Sequence, residues 1–114
     1  MLFRSVAQLR ERVNAIGLKD KSKIFNTARI EALEVENLIE CAQATMVSAA
    51  ARRESRGAHT VNDYADTPEH PNGRNDQEWL KHSLWHSHSN SLTYKPVKLK
   101  PLTTESIPPK VRTF

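Results

Sequence analysis

Glycine and proline are unevenly distributed along the chain, and this pattern most limits what it can fold into. All six prolines lie after residue 67, and neither glycine nor proline stands between Leu18 and Arg56. Because these two residues interrupt regular structure most strongly, the pattern predicts a helical first half and an irregular second half. We place residues 1–57 in the helical part, and residues 58–114 in a loop, short helix and extended tail of the same domain.

The apolar composition predicts a thin core and excludes several classes of protein. Leu, Ile, Val and Phe make up only 25 of the 114 residues, just above the fraction that indicates disorder. No apolar run approaches the roughly 18 residues of a membrane-spanning helix. Met1–Ser5 is not followed by an extended apolar region or a small-residue cleavage site, so we expect no signal peptide. The single cysteine, Cys41, excludes an internal disulfide scaffold and a multi-cysteine zinc site.

The net charge of +4 is concentrated at the C-terminal end of the chain. Between Tyr94 and Phe114, five basic residues face the single acid Glu105. A basic tail of this size is usually solvated, and no nucleic-acid-binding motif accompanies it. We therefore expect no nucleic-acid partner, although a free-standing helical binding module with a basic tail is an alternative.

Two helices of unequal length are predicted in the first half. The first has an N-cap at Ser5, an apolar face built on the spacing of Val6, Leu9, Val13 and Ile16, and a left-handed C-terminal residue at Gly17. The second begins at Asn26 or Thr27, both good N-cap residues, and extends toward a stop at Gly57.

The second helix carries more apolar surface than the first can cover. Its stripe contains Ile30, Leu33, Leu38, Cys41, Ala42, Thr45 and Ala49, widened by Ile39 and Met46. The Ala-rich stretch 42–51 allows a close helical neighbour. Uncovered apolar surface marks an interaction site, so we expect the isolated chain to form a homo-oligomer, as a dimer through this Ala-rich face.

The second half contains fewer regular elements. Residues 63–76 are a polar loop with a tight turn at Asn72-Gly73. A short helix, Gln77–Trp85, is predicted after a cap at Asp76, and residues 92–100 are predicted to be extended. Pro96 places that segment at a sheet edge or outside a sheet.

Few residues suggest chemistry of their own. His82 and His86 have a spacing that suits a metal on one helical face, with His88 close by, but no H-E-x-x-H motif accompanies them. Cys41 is interpreted as a small buried hydrophobe, and the helix glutamates as solvated. Glycines at 17, 57 and 73 cannot form a phosphate-binding loop. We therefore predict no catalytic, cofactor-binding or metal-binding residue in this chain.

One cluster of charged residues is denser than a helix exit requires. Arg52 and Arg53 are followed by Glu54, Ser55, Arg56, Gly57, Ala58 and His59. Such a cluster is compatible with an ordinary helix end and equally with a domain contact made by charge-assisted hydrogen bonds.

The same segment resembles the C-terminal domain of the succinate dehydrogenase and fumarate reductase flavoprotein family. The resemblance rests on Arg-Glu-Ser-Arg-Gly-Ala-His at 53–59, Asp63-Tyr64, Trp-Leu-Lys-His-Ser-Leu at 79–84 and the closing Pro-Pro-Lys-Val-Arg-Thr-Phe at 108–114. Upstream, residues 9–12, 25–27 and 34–38 also fit, so the likeness covers nearly the whole chain. The tryptophan-led segment and the chain end favour succinate dehydrogenase over fumarate reductase and L-aspartate oxidase.

The resemblance implies a parent oxidoreductase of the tricarboxylic acid cycle. That enzyme oxidises succinate to fumarate through FAD and passes electrons to an iron–sulfur subunit and on to quinone. The family's flavin- and substrate-binding residues lie N-terminal to the matched region, so this chain is expected to be an inactive C-terminal piece with no cofactor.

The resemblance also implies a fold and a location. The expected fold is mainly α, an antiparallel, spectrin-repeat-like bundle whose first of three helices is missing or truncated, followed by an irregular part with a short helix and one or two strands. Arg53, Glu54, Arg56, Gly57 and His59 are the candidates for packing against the FAD-binding and substrate-capping domains. The location implied is peripheral, at the cytoplasmic face of a bacterial inner membrane or the matrix side of a mitochondrial one.

Overall fold

The computed structural model describes residues 2–64 and 66–110. Regular structure comes in the order α1 (Leu2–Asn14), α2 (Thr27–Ala51), a 3₁₀ turn (Pro71–Gly73), α3 (Asp76–Trp79), β1 (Lys81–His86) and β2 (Ser91–Pro96). Among the described residues, no helix combines the length and the apolar character needed to span a bilayer. Val111–Phe114, which complete the closing motif of the sequence, lie outside the described residues.

The first helix has different ends from those predicted. It begins at Leu2, before the expected cap at Ser5, and ends at Asn14. Gly17 does not adopt a left-handed conformation. The backbone N–H groups of Ala15 and Ile16 instead bond to carbonyls three residues earlier, at 3.2 and 3.1 Å. These bonds tighten the last turn in 3₁₀ fashion, so no left-handed glycine is required.

The second helix begins as predicted, with Asn26 as its N-cap. The Asn26 side chain accepts a 2.9 Å bond from the Arg29 N–H. Its amide donates to the carbonyls of Asp20 and Ser22, at 3.1 and 3.0 Å. These three bonds fasten the connecting loop to the start of α2, and Asn26 is buried.

The predicted stop at Gly57 is wrong, since α2 ends at Ala51. Arg52 is its C-cap and is already extended, at φ −78° and ψ 113°. Gly57 instead occupies a tight turn at φ 60°, closed by reciprocal backbone bonds between Arg56 and His59 of 2.8 and 3.0 Å.

The two long helices contact each other, but much of the apolar stripe stays uncovered. Arg10 of α1 forms an ion pair with Glu40 of α2, and Val13 and Ile39 line a groove between the helices. Cys41 is exposed, which corrects the prediction that it is a buried hydrophobe. It shares the uncovered surface with Ile30, Leu33 and Leu38.

The predicted helix Gln77–Trp85 is wrong over most of its length. Only Asp76–Trp79 is helical, with Asn75 rather than Asp76 as the cap. Residues 81–86 form a strand instead, paired antiparallel with 91–96 so that Trp85 lies opposite Leu92 and Lys81 opposite Pro96. The extended prediction for 92–100 is confirmed as far as Pro96.

The hairpin is fastened to α2 through its turn. The Asn90 side-chain oxygen accepts from Trp85 Nε1 at 3.0 Å and from Gln43 Nε2 of α2 at 3.1 Å. This long-range contact, together with the strand pairing, stabilises residues 81–86 as a strand although their local apolar spacing also suits a helix.

The core is as thin as the composition predicts. Trp79 is the one buried hydrophobic residue among those described. Tyr94 meets its ring edge to face, with centroids 5.8 Å apart, and Lys81 Nζ lies 4.5 Å from the Trp79 ring and 4.4 Å from the Tyr94 ring. The core therefore lies where the hairpin, α3 and the end of α2 meet.

Candidate functional site

The carboxylate of Glu54 lies at the centre of the charged cluster and is completely buried. Arg56 donates to it twice, from Nε to Oε1 at 2.7 Å and from Nη2 to Oε2 at 3.0 Å. Arg52 Nη1 donates to Oε1 at 2.5 Å, and the Asn75 backbone N–H donates to Oε2 at 2.9 Å. A buried charge is tolerated only when it is paired and hydrogen-bonded, and this one has four donors.

The chain leaves the helix axis directly after Ala51, since Arg52 is extended and the chain bends at Glu54. The side chains of Arg52 and Arg56 both reach the Glu54 carboxylate. Arg53, between them in sequence, is exposed. The end of the helix at Ala51 therefore makes the network possible, because a continuing helix would have spread these residues around its axis.

Two further residues extend the network toward α3. Arg56 Nη2 donates to Asp76 Oδ1 at 2.6 Å, and Arg74 Nη2 lies 3.0 Å from Asp76 Oδ2. Arg52 also donates to the carbonyl oxygens of Trp79 and Lys81, at 3.0 and 2.9 Å. The cluster thus ties the end of α2 to α3 and to the first residue of β1.

Ser55 and Gly73 bring the intervening loop against the cluster. The Ser55 N–H donates to the Gly73 carbonyl at 2.9 Å, and Ser55 Oγ accepts from the Val61 N–H at 3.0 Å. Gly73 has φ +71°, and a Cβ added there would lie 2.1 Å from the Tyr64 carbonyl oxygen. Only glycine suits this close backbone approach.

The network determines the protonation of its members. Burial alone raises the pKa of Glu54, but the hydrogen bonds from Arg56, Asn75 and Arg52 outweigh it and hold that pKa below its ordinary value. The pKa of Asp76 is also lowered, because its bonds and charge interactions with Arg56 and Arg74 outweigh desolvation. The hydrogen bond to Glu54 raises the pKa of Arg56, so all three groups are held in their charged forms.

The five packing candidates from the sequence occupy different environments. Glu54 and Arg56 are central to the network, whereas Arg53 and Gly57 are exposed. His59 is half-buried, and its Nε2 atom is buried without a hydrogen-bond partner in the part of the chain that the structure describes. The predicted set is therefore split between an interior network and the surface beside it.

Arg52 belongs to the charged cluster identified in the sequence, although it is not one of the five packing candidates, whereas Arg74, Asn75 and Asp76 were not expected to join it. No pattern in the neighbouring sequence predicts that residues 74–76 join the network. Their place in it depends on how the loop folds back to the end of α2.

The site has no recognisable catalytic or metal-binding arrangement. Its acids and bases are paired with one another, and the solvent-open cavity of about 540 Å³ beside it is lined by Arg56, Arg74 and Asp66 together with loop residues. Across residues 2–64 and 66–110, no three His, Cys, Asp or Glu side chains group as metal ligands. His82 and His86 lie on a strand, so the helical spacing that suggested a metal does not exist.

The chain does not contain the Gly-rich turn that receives the pyrophosphate of a dinucleotide, because its three glycines lie far apart in the sequence. The network is suited to holding α2, α3, β1 and the loop that contains Gly73 in fixed relative positions. Arg53 and Gly57 lie on the surface beside it.

Comparisons with known proteins agree with the resemblance. Residues 2–114 match the family described as fumarate reductase flavoprotein C-term. The chain is 45% identical to the succinate dehydrogenase flavoprotein subunit of Coxiella burnetii over 105 residues, covering 92% of this chain and 16% of that protein. For the subunit of Rickettsia conorii the identity is 42% over 114 residues, covering 96% and 18%.

A fumarate reductase subunit is also similar. The flavoprotein subunit from Haemophilus influenzae is 36% identical over 108 residues, covering 92% of this chain and 16% of that protein. The chain thus spans less than a fifth of the length of these relatives. With the family match extending over residues 2–114, the chain belongs to the C-terminal domain family of the succinate dehydrogenase and fumarate reductase flavoproteins.

Proposed function

We propose that this chain is a structural and docking domain of an FAD-dependent succinate dehydrogenase flavoprotein subunit. The observation that carries the proposal is the mismatch between its core and its apolar surface. Trp79 is the buried hydrophobic residue, whereas twelve large hydrophobic residues of the described chain are exposed. A surface of that kind is typical of a domain that is covered by a neighbour.

The Glu54 network supplies the rigidity that docking needs. It holds the turn at Gly57 in place through Arg56, so that Arg53, Gly57 and His59 are presented from a fixed backbone. Arg53 offers a cation to a carboxylate of the neighbouring domain. Within residues 2–64 and 66–110, no group donates to or accepts from the buried His59 Nε2 atom, which supports completion of this surface by the FAD-binding and substrate-capping domains.

The helices support a second contact within the same parent. The open face of α2, with Ile30, Leu33 and Leu38 exposed, is where a third helix would complete the antiparallel bundle expected for the family. In this proposal, the 114-residue chain contributes two helices of that bundle and the irregular part that follows them.

The parent reaction would be the oxidation of succinate to fumarate. FAD would accept the hydride, and the electrons would pass to an iron–sulfur subunit and then to quinone at a membrane, with this domain peripheral on the cytoplasmic face in a bacterium. No residue of this chain is assigned a chemical step or a place in the flavin site. Its part in the reaction is to support the domains that carry it out.

A chimera tests the docking role. In the Coxiella burnetii subunit, the region matched by this chain is replaced with residues 2–114, and flavin content and succinate-dependent dye reduction are measured. A docking domain restores both, whereas a subunit truncated before this region loses flavin or solubility. Arg53→Glu in the chimera should lower activity more than Lys98→Glu, a matched charge reversal in the exposed tail. Full flavin loading and turnover by the truncated subunit would refute the proposal.

Fumarate reduction is the second candidate for the parent reaction, because the Haemophilus influenzae relative carries that name. The ratio of fumarate reduction to succinate oxidation, measured in the natural full-length context of this domain, separates the two. A ratio that favours oxidation supports succinate dehydrogenase.

A further inference from the structure

The sequence contains one asparagine that is followed directly by glycine, Asn72. Asparagine is chemically labile, and a following glycine favours its deamidation because no Cβ hinders the reacting backbone. The Gly73 backbone nitrogen loses its proton and bonds to Asn72 Cγ, the bond from Cγ to Nδ2 breaks, and ammonia leaves. Water then opens the resulting five-membered imide at either carbonyl. One product is aspartate, and the other is isoaspartate, in which the backbone continues through the former side chain.

The folded chain holds this pair in a conformation that opposes ring closure. The Gly73 N–H, whose proton must leave before attack, donates to the His70 carbonyl at 2.8 Å. The Asn72 N–H donates to Asp66 Oδ1 at 2.6 Å, which fixes the reacting residue from its other side. Asn72 has φ 57° and ψ 26°, so the Gly73 nitrogen points nearly opposite to Asn72 Cβ, whereas the ring requires the two atoms to eclipse.

Packing prevents the rotation that would bring the reacting atoms together. Gly73 is buried, and its carbonyl accepts from the Ser55 N–H at 2.9 Å. A Cβ on Gly73 would lie 2.1 Å from the Tyr64 carbonyl oxygen, so the backbone has no room to turn in place. Ring closure therefore requires the loop that contains Gly73 to detach from Ser55 and the end of α2.

We propose that Asn72 is a deamidation site whose reaction is controlled by the packing of Gly73 against Ser55 and Tyr64. The site is protected while the loop is packed and reacts when the loop detaches. Its rate in the folded chain is then the rate in the open chain multiplied by the open fraction, as for any reaction that requires local unfolding. This property belongs to the chain itself and does not depend on the proposed function.

The isoaspartate product does not fit back into the fold. It inserts one methylene group into the backbone between Asn72 Cα and the Gly73 nitrogen, directly beside the close approach to the Tyr64 carbonyl. Ordinary aspartate keeps the backbone length and adds one negative charge near Asp66, which lines the same cavity, so it should disturb the loop less. A chain that forms isoaspartate while open is thereby lost from the folded population.

Peptide mass spectrometry tests the protection. Trypsin releases residues 57–74 as one peptide, because neither Lys nor Arg lies between Arg56 and Arg74. That peptide also contains Asn62, an exposed asparagine of the same loop that is not followed by glycine, as an internal reference. The chain is incubated in mildly alkaline buffer, either folded or unfolded by guanidinium chloride. Deamidation of Asn72 should be at least about tenfold slower in the folded chain, and Asn62 should react slowly in both. Equal rates at Asn72 in the two states overturn the proposal.

A variant tests the role of the loop contact without changing the reacting pair. Ser55→Ala removes the Oγ atom that accepts from the Val61 N–H at 3.0 Å and should raise the folded-state rate at Asn72 about fivefold. Ser89→Ala, in the exposed hairpin turn, should leave that rate unchanged. Circular dichroism establishes that both variants are folded. An unchanged rate in folded Ser55→Ala contradicts control by this contact.

Refolding tests the consequence for the wild-type chain. A sample deamidated in guanidinium chloride is diluted into buffer, and the folded and unfolded fractions are separated by size-exclusion chromatography. Chains with isoaspartate at position 72 should be enriched in the unfolded fraction, and those with aspartate should be less so. Isoaspartate in the folded fraction at its starting proportion would show that the loop accommodates the longer backbone, which overturns the packing described for Gly73.

Discussion

Arg56 binds the buried Glu54 carboxylate through two hydrogen bonds, from Nε at 2.7 Å and from Nη2 at 3.0 Å. Arg56 Nη2 also donates to Asp76 at 2.6 Å. One guanidinium therefore joins the end of α2 to the first residue of α3. Because Trp79 is the one buried hydrophobic residue in the described part of the chain, we expect this network to contribute to the stability of the second half of the chain.

Glu54→Gln should destabilise the chain strongly. The substitution preserves side-chain size but removes the charge that pairs with Arg52 and Arg56. Breaking a buried ion pair by removing one partner costs about 3–5 kcal/mol. We expect the urea-unfolding free energy to fall by about 3 kcal/mol, measured by tryptophan fluorescence and far-UV circular dichroism.

The matched control for that experiment is Glu105→Gln in the exposed tail. Surface substitutions of this kind usually change stability by less than about 0.5 kcal/mol. If Glu54→Gln were as mild as Glu105→Gln, the network would be unimportant for folding and the structural role assigned to it would be wrong.

Acid should destabilise the fold through Glu54 and Asp76. Both pKa values are lower in the folded chain than their ordinary values of 4.5 and 3.8. The unfolded chain therefore takes up protons first as the pH falls, which favours unfolding. The stability contributed by these carboxylates is fully present above pH 4.5 and is lost as the pH falls through the lowered folded values. Thermal unfolding measured between pH 7 and pH 3 gives the slope of stability against pH.

A variant identifies which groups cause that slope. Glu54→Gln should flatten the acid loss, leaving the contributions of Asp76 and of Asp20, whose pKa is lowered by the Ser22 backbone hydrogen bond. An unchanged slope in Glu54→Gln would assign the acid sensitivity to other carboxylates.

Local signals predicted the start of α2 but not the hairpin. Asn26 is a strong N-cap residue, and its side chain bonds to the Arg29 N–H within the same turn. Residues that are close in sequence therefore suffice to start the helix there. Residues 81–86 are different, because their strand depends on pairing with 91–96 and on the Asn90 bond to Gln43. Apolar spacing favoured a helix there, and non-local contacts overrode it.

The members of the charged cluster were likewise only partly predictable from the sequence. Glu54 and Arg56 stood out because charged residues clustered beside a glycine. Arg74 and Asp76 join them only after a loop of almost twenty residues returns to the cluster, and no short-range pattern reports such a return. Arg53 is one of the packing candidates predicted from the sequence, but it is exposed, and the donors to the Glu54 carboxylate are Arg52, Arg56 and Asn75.

Lys81→Met should weaken the small core. The Lys81 ammonium lies between two aromatic rings, 4.5 Å from Trp79 and 4.4 Å from Tyr94. Methionine retains the apolar stem but loses the cation–π attraction, which is about 0.5–2 kcal/mol depending on solvation. We expect a loss of about 1 kcal/mol in urea unfolding. Lys95→Met on the neighbouring strand, where the side chain is exposed, should change little, and equal losses would argue against a specific ring contact.

The three glycines should respond to alanine in a fixed order. Gly73→Ala is the most damaging, because its φ of +71° disfavours a side chain and the new Cβ would lie 2.1 Å from the Tyr64 carbonyl oxygen. Both the left-handed backbone and the clash contribute, for a loss of about 3 kcal/mol or more. Thermal and urea unfolding of the three variants, measured side by side, give the order.

The other two glycines separate the clash from the backbone effect. Gly57 has φ +60° but open space around it, so Gly57→Ala should cost only the left-handed penalty of about 1–2 kcal/mol. Gly17 has neither a positive φ nor a close neighbour, so Gly17→Ala should be neutral or stabilise by up to about 1 kcal/mol, since alanine restricts the unfolded chain. If Gly73→Ala and Gly57→Ala cost the same, the Tyr64 carbonyl does not approach Gly73 as closely as described, and the loop does not pack against Ser55 as proposed.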